Sequence, residues 1–483
     1  MTVTEAAGRA VEAGGAVVDA AIVAALTAMC TEPGICAPAG GGFLTISVPG
    51  SSPVVVDGYM SYPGLGFEGH ASSRRVTMTY GGGVTTLVGA GSIAVPGVFA
   101  GLEEASDMFG VLPWRELMQV VADTVEPGFP LGEAAWSYLT HAGEPIFSED
   151  PVVREALFDG DRLRETGELV SIPGLADSLR HIGDEGARTF YEGDLAREMI
   201  TDIEARGGRL TMADLASYRA EIREPLEVDL RGWSLWLNPP PAVGGATVAL
   251  ALGELARSAE PGPGVWTDAL IAAFTARRDE FETAPDPDNA VARALGRAGL
   301  RSPSTISVSA SDSEGGAVAG TFSAGYGSGV IPGTTGLMMN NALGEIELMP
   351  VAIDDLEPGG RMMSNMAPTV GRRGEDVVAI GSPGADRITT AIFSTIASLV
   401  DGLDLAAAID HPRAHPEFHD DGVRIAVEPG LDIGEGGHSV RSFADLDMFF
   451  GGVNGTAIQD GRLTAHADVR RSGAVAIYGR PAR

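Results

Sequence analysis

Apolar and polar positions divide the chain into two textures. Behind Gly14 and Gly15 the segment Val11–Met29 is a run of Ala, Val, Ile and Leu broken only by Asp19 and Thr27. An apolar pattern on every side predicts a helix buried in the core. Gly40–Gly41–Gly42 then turns into a strand at Phe43 and Leu44, and Pro53–Asp57 forms a second strand. From Val95–Pro96–Gly97 the spacing becomes helical, with Leu102, Ala105, Met108 and Phe109 on one face. Helical stretches continue to about Ile222, interrupted at Gly207–Gly208. Pro225–Leu237 alternates like a single strand and stops at Asn238–Pro239–Pro240–Pro241. Val243–Arg257 is a further apolar helix, and Glu260–Gly264 is a surface loop. Thr283–Pro303 is polar, broken by Pro285, Pro287 and Pro303, and reads as an exposed connector.

After Pro303 the texture changes to a two-residue period. Thr305, Ser307, Ser309 and Ser311 share one face of a strand, and Ile306, Val308 and Ala310 share the other. Asp312–Gly316 is a turn, and Ala317–Ser323 is the returning strand of a hairpin. Val377–Ile380 is a strand, Gly381–Gly384 a tight loop and Ile388–Val400 a helix. Hairpins alternating with buried helices predict layered sheets covered by helices.

Composition narrows the chemistry. Among 483 residues there are 65 acidic and 33 basic ones, a net charge of −32, and every basic residue is arginine. Without lysine there is no Schiff base, no phosphate-loop lysine and no lysine general base. The acidic balance argues against nucleic-acid and anionic-membrane partners. Cys30 and Cys36 are too few for a disulfide scaffold and are expected as buried free thiols. No apolar run is long enough to span a membrane, and no basic stretch with a short apolar run opens the chain, so a cytoplasmic location is expected. Gly89–Ala94 imitates a dinucleotide loop, but Pro96–Gly97 follows at once, and no cofactor is expected. His411, His415 and His419 are four residues apart, but Pro412 and Pro416 break a helix there; a loop is expected, with no metal.

The hydroxyl-faced strand opening after the connector admits two readings. One is an ordinary half-exposed strand. The other is a self-cleaving N-terminal nucleophile hydrolase, in which an internal threonine hydroxyl attacks the preceding peptide bond and an acyl shift followed by hydrolysis frees the threonine amine. That amine, with an ordinary pKa of about 7.7–8.0, serves as base for its own hydroxyl and needs neither lysine nor histidine.

Longer stretches carry a resemblance. They include Ala13–Ala21, Glu32–Pro33, Gly40–Phe43, Val95–Pro96–Gly97, Phe190–Gly193, Gly207–Thr211, Gly244–Gly245, Thr305, Gly315–Val318, Asn340–Asn341, Ser364, Pro368–Thr369, Gly381–Gly384, Arg387–Ile388 and Pro412–Arg413 with His415. In this order they resemble the γ-glutamyltransferases, also called γ-glutamyl transpeptidases. The resemblance implies an α+β fold, a four-layer αββα sandwich of the N-terminal nucleophile hydrolase type. It implies Thr305 as nucleophile and cleavage between Ser304 and Thr305. Residues 1–304 would be large-subunit-like and 305–483 small-subunit-like, the two forming one αββα domain and a heterodimer of the chain's own fragments. Ser323 falls at a second hydroxyl near the nucleophile, Gly384 and Ala385 at two oxyanion-binding amides, and Ser364–Asn365 at a substrate-contacting Ser–Ser pair.

The departures concern recognition. Where the family carries a carboxylate-clamping arginine two residues after an aspartate, this chain has Tyr59 after Asp57. Gly325, Ala342 and Glu345 replace an Asn, a Gln and an Asp, and only Glu345 keeps the charge. A phenol cannot replace a guanidinium in bidentate carboxylate binding. The expected function is therefore a threonine acyltransferase or amidohydrolase acting on γ-glutamyl or related amides such as glutathione, passing the acyl group to water or an amine. Two alternatives accompany it: an amidohydrolase of non-glutamyl amides, oxamate- or cephalosporin-acylase-like, and an uncleaved paralogue without activity.

Overall fold

The computed structural model describes residues 3–79, 83–258, 262–282, 305–345, 349, 353–419, 422–434 and 437–479. Ser304 and the connector 283–303 lie outside the described residues.

Two antiparallel sheets stack at the centre. One has five strands in the order Thr305–Ser311, Ala317–Ser323, Gly41–Ser47, Val54–Gly58 and Glu221–Arg223. The other has six, in the order Leu226–Leu230, Trp233–Leu237, Thr369–Arg373, Asp376–Gly381, Asn454–Gln459 and Arg462–Ala467. Between them lies a thin core of small side chains: Ala317 and Ala319 from the first sheet meet Val370, Val377, Ala379 and Ile458 of the second.

The hydroxyl-faced strand is buried at Thr305 and Ile306 and partly exposed from Ser307 to Ser311. Its Ser/Thr face turns inward and is bonded to the second sheet. Ser309 Oγ donates to Asn454 Oδ1 at 2.8 Å, Asn454 Nδ2 donates to Ser307 O at 2.7 Å, and Ser311 Oγ shares a 2.7 Å bond with Thr456 Oγ1. Satisfied hydroxyls can be buried at small cost, which lets a polar face form an inter-sheet seam. The opposite face, Ile306, Val308 and Ala310, packs into the large helical core.

Helices cover both outer faces, completing the αββα layering. On the first sheet lie Val17–Thr31, Val98–Phe109 and Trp114–Val125; on the second lie Val243–Ala256, Pro263–Glu282 and Arg387–Val400. The expected Val11–Met29 helix is two helices, Val3–Glu12 and Val17–Thr31, because Gly14 takes φ 93° between them. Asp19, the polar break in that apolar run, is fully buried and accepts from the Ala16, Val111 and Leu112 amides. The expected single strand Pro225–Leu237 is a hairpin that turns at Arg231 and Gly232, both with positive φ. The expected loop at Ala414–His419 is a strand paired with Gly422–Val427. No helix among the described residues is long and apolar enough to cross a membrane.

Candidate active site

Thr305 is the first residue of the edge strand, with 7% of its surface exposed. Ser323 is its direct cross-strand partner, and Gly41 is the partner of Ser323 on the other side. Opposed residues on an antiparallel pair project from the same face with Cβ atoms about 4.5–5.5 Å apart, so the two hydroxyls are neighbours. Ser323 Oγ accepts from the Gly325 amide at 3.1 Å. Glycine at position 41 is required by packing, since a Cβ there would lie 2.6 Å from the Met60 nitrogen. The Thr305 hydroxyl has no hydrogen-bond partner among the described residues.

Strand direction brings the Gly381–Ala385 loop to the same end. Gly381 pairs with Asn454 and Ala379 with Thr456, while Asn454 bonds Ser307 and Ser309 and Thr456 bonds Ser311. The Asp376–Gly381 strand therefore runs opposite to Thr305–Ser311, and its chain leaves the sheet toward Thr305. A Cβ at Gly381 would sit 2.9 Å from Ser307 Cβ, so the approach is close. Beyond it, Gly384 has φ 133° and Ala385 φ 54°. Among the described residues only Arg231, Ala385 and Asp460 are non-glycine residues with positive φ. Left-handed backbone at an alanine costs about 1–2 kcal/mol and tends to persist where function requires it. Neither the Gly384 nor the Ala385 amide donates to an acceptor among the described residues, and the Arg387–Val400 helix begins just behind them. Open amides at a helix N-terminus stabilise developing negative charge.

Tyr59 and Ser364 line the neighbouring wall. The Tyr59 ring stacks on Phe43 with centroids 5.1 Å apart and planes at 19°. Burial pushes the Tyr59 hydroxyl far above its ordinary range, the Glu345 charge adds to this, and a hydrogen bond with the Ser364 side chain works against it. Behind Tyr59, Asp57 is fully buried; it accepts from the Tyr59 amide at 2.9 Å and pairs with Arg223 at 2.7 Å. The Tyr59 carbonyl accepts from Tyr218 at 2.6 Å. Met60, Met362, Met366, Ala342 and Leu343 fill the same apolar cluster. Glu345 Oε2 lies 3.1 Å from where a Cβ at Gly325 would be, which links Glu345 to the Ser323 turn. Thr305, Ser323, Gly384 and Ala385 thus share one end of the sandwich, with Tyr59, Ser364 and Glu345 grouped beside the Ser323 turn.

Asn365 has its side chain held by the Pro263–Glu282 helix. Its Oδ1 accepts from Arg277 Nη2 at 2.7 Å, and its backbone carbonyl packs against Gly244. Arg277 is a site neighbour that the sequence pattern did not single out. Cys30 and Cys36 are free and buried, and burial pushes the Cys36 thiol up to about 12, so neither is an activated nucleophile. His411, His415 and His419 form no metal-holding group with each other or with nearby acids among the described residues.

Comparison with known proteins adds an independent line. The gamma-glutamyltranspeptidase family model matches residues 3–264 and 264–478. The glutathione hydrolase proenzyme of Pseudomonas aeruginosa is 30% identical over 468 residues, covering 85% of this chain and 81% of the relative. The acylase ACY 1 proenzyme of Pseudomonas sp. strain SE83 is 29% identical over 520 residues, covering 98% of this chain and 91% of the relative. Among solved structures, cephalosporin acylase from Bacillus halodurans superposes with a TM-score of 0.79 at 22% identity, covering 99% of this chain and 94% of that one.

Proposed function

The chain belongs to the gamma-glutamyltranspeptidase family, and from that premise we propose that it is an autoprocessing threonine amidohydrolase or acyltransferase acting on γ-glutamyl or related amides. The carrying observation is the meeting of three features at one sheet end: Thr305 opening a strand, Ser323 opposite it, and the Gly384–Ala385 amides open on a loop directed toward it.

Thr305 Oγ attacks the carbonyl carbon of the scissile amide, and its hydroxyl proton passes to the Thr305 α-amine. The oxyanion is held by the Gly384 and Ala385 amides. As the tetrahedral intermediate collapses, the C–N bond breaks and the protonated amine delivers its proton to the leaving nitrogen. An acyl ester on Thr305 remains, and water or an acceptor amine takes the acyl group in the second half-reaction. Freeing the Thr305 amine requires cleavage at Ser304–Thr305, which gives pieces of 304 and 179 residues. These pieces stay together because each sheet contains strands of both, joined where Gly41–Ser47 pairs with Ala317–Ser323 and where Trp233–Leu237 pairs with Thr369–Arg373. Ser323, beside Thr305, supports the reacting hydroxyl. The direct test is a denaturing gel of the purified chain with N-terminal sequencing of the smaller band. Two bands, the smaller beginning at Thr305, support the reading; a single 483-residue band overturns it.

A second reading of the donor has a specific observation in its favour. Tyr59 occupies the clamp position, buried and stacked on Phe43, and Glu345 contributes a negative charge to the same wall. This favours an amide whose acyl part lacks the α-carboxylate.

A further inference from the structure

The Pro263–Glu282 helix is the last described element before Thr305, and it touches the Asn365 loop and the Ala414–His419 strand of the segment that follows. Its Arg277 Nη2 donates to Asn365 Oδ1 at 2.7 Å. Three residues back, on the same helix face, Phe274 packs edge-on against His415, with ring centroids 5.6 Å apart. His415 is buried; its Nδ1 bonds Thr390 Oγ1 at 2.8 Å and its Nε2 lies 3.7 Å from Asp386 Oδ2. Asp386 also pairs with Arg387 Nη1.

Asp386 holds an unusual station. It directly follows Ala385 and stands at the N-cap of the Arg387–Val400 helix, yet its side chain makes no capping hydrogen bond. An N-cap aspartate ordinarily accepts from the first helical amides. Here the carboxylate turns to Arg387 and His415 instead. The Arg277–Phe274 face of the helix reaches Asp386 through His415, which packs on Phe274 and faces the Asp386 carboxylate; the Asp386 charge also works against the fall that burial imposes on the Arg277 guanidinium. Buried charges are costly to assemble and are strongly destabilising to break singly.

We propose that Arg277 and Asp386 are positioning residues: Arg277 fixes the Asn365 loop from behind, and Asp386, held by Arg387 and His415, keeps Ala385 left-handed with its amide open. The catalytic consequence rests on reading Gly384 and Ala385 as the oxyanion donors. Arg277 precedes Thr305, whereas Asn365, Asp386 and His415 follow it. The brace therefore spans the two pieces that cleavage would produce, and it gives the first piece a direct hold on the site of the second.

The test uses the full chain with Arg277→Met, Asp386→Asn and the double variant, read by amide hydrogen exchange and by kinetics. Exchange in the 383–387 segment should quicken by about tenfold or more in each single variant and no further in the double, as coupled residues do. The Val17–Thr31 helix should keep its protection, which separates loosening of the loop from general unfolding. In the same variants kcat should fall roughly 10- to 100-fold with KM within about twofold, because the lost interaction serves the transition state. Arg277→Lys should recover part of it. Unchanged loop exchange, or losses that multiply in the double variant, would overturn the brace. Faster loop exchange with kcat at the wild-type value would leave the brace standing and sink the oxyanion reading. Should Arg277→Met fail to fold, Asp386→Asn carries the same comparison.

Discussion

Thr305 and Ser323 face one another across the edge pair of the five-stranded sheet, and Gly41 continues the same row on the next strand. The row is fixed by backbone pairing, so removing either hydroxyl leaves the frame intact. Thr305→Ala should therefore fold, remain a single 483-residue band, and lose activity by roughly 10⁴-fold or more, as nucleophile deletions do. Ser323→Ala should still cleave, more slowly, with kcat lowered roughly 10- to 100-fold through loss of one hydrogen bond to a charged or developing group. Gel densitometry over time and initial rates check both. Cleavage of Thr305→Ala at the same bond would exclude Thr305 as the attacking group.

Ala385 bears a Cβ at φ 54°, where only glycine is free of strain. Ala385→Gly removes about 1–2 kcal/mol of that strain, offset by about 0.4–1 kcal/mol of extra unfolded-state entropy. The expected balance is stabilisation of up to roughly 1.6 kcal/mol, seen as a higher unfolding midpoint in denaturant. A glycine amide donates as well as an alanine amide, so kcat should stay within about threefold. A large fall in kcat would mean that the methyl group itself shapes the site.

Glu32 gives the fold a pH dependence with a definite sign. Its Oε2 is buried with no hydrogen-bond partner among the described residues, and both carboxyl oxygens press against Gly132 at the start of the Glu133–Phe147 helix. Burial raises its pKa from 4.5 to about 7, outweighing the attraction of the helix end. The folded state then holds a proton that the unfolded state has released. Its contribution is fully present below about pH 4.5 and is lost as pH rises to about 7. At most roughly 3 kcal/mol is involved. Glu32→Gln should flatten the stability profile across that window and leave it unchanged below. Denaturant melts at several pH values between 4 and 8 read it out, and a wild-type profile that climbs through the window for this residue's sake would contradict the assignment.

The sequence carried the hydroxyl-faced strand well because its signals are local. The two-residue period from Thr305, the Asp312–Gly316 turn and the return to Ser323 all lie within one hairpin. It said nothing of what the hydroxyl face meets, because Asn454 and Thr456 come from a strand 145 residues further along. Arg277 was illegible for a similar reason: a lone arginine near the end of a helix resembles any solvated charge until Asn365, 88 residues away, is folded onto it. Asn365 stands in the expected substrate pair by order along the chain, yet its side-chain oxygen is engaged by Arg277, a partner only tertiary packing supplies. The Leu226–Leu237 hairpin was readable in principle from Arg231–Gly232, but unbroken alternation on either side masked the turn.

The wall beside the Ser323 turn makes a prediction about donors. A γ-glutamyl group carries an α-carboxylate and an α-amine; a 4-aminobutyryl group keeps only the amine and a glutaryl group only the carboxylate. Tyr59 offers a carboxylate one phenol hydroxyl in place of a guanidinium fork, and Glu345 adds like charge nearby. A hydrogen bond to a charged group contributes about 1.5–3 kcal/mol, or roughly 10- to 150-fold in kcat/KM. The three anilides should therefore rank with 4-aminobutyryl first and glutaryl last. Tyr59→Phe should leave that order intact, since it removes no cation. Initial rates of aniline release, measured side by side at subsaturating concentrations, decide the matter. A γ-glutamyl anilide turned over tenfold faster than the 4-aminobutyryl anilide would mean that a cation reaches the donor carboxylate by another route, and the non-glutamyl reading would fall.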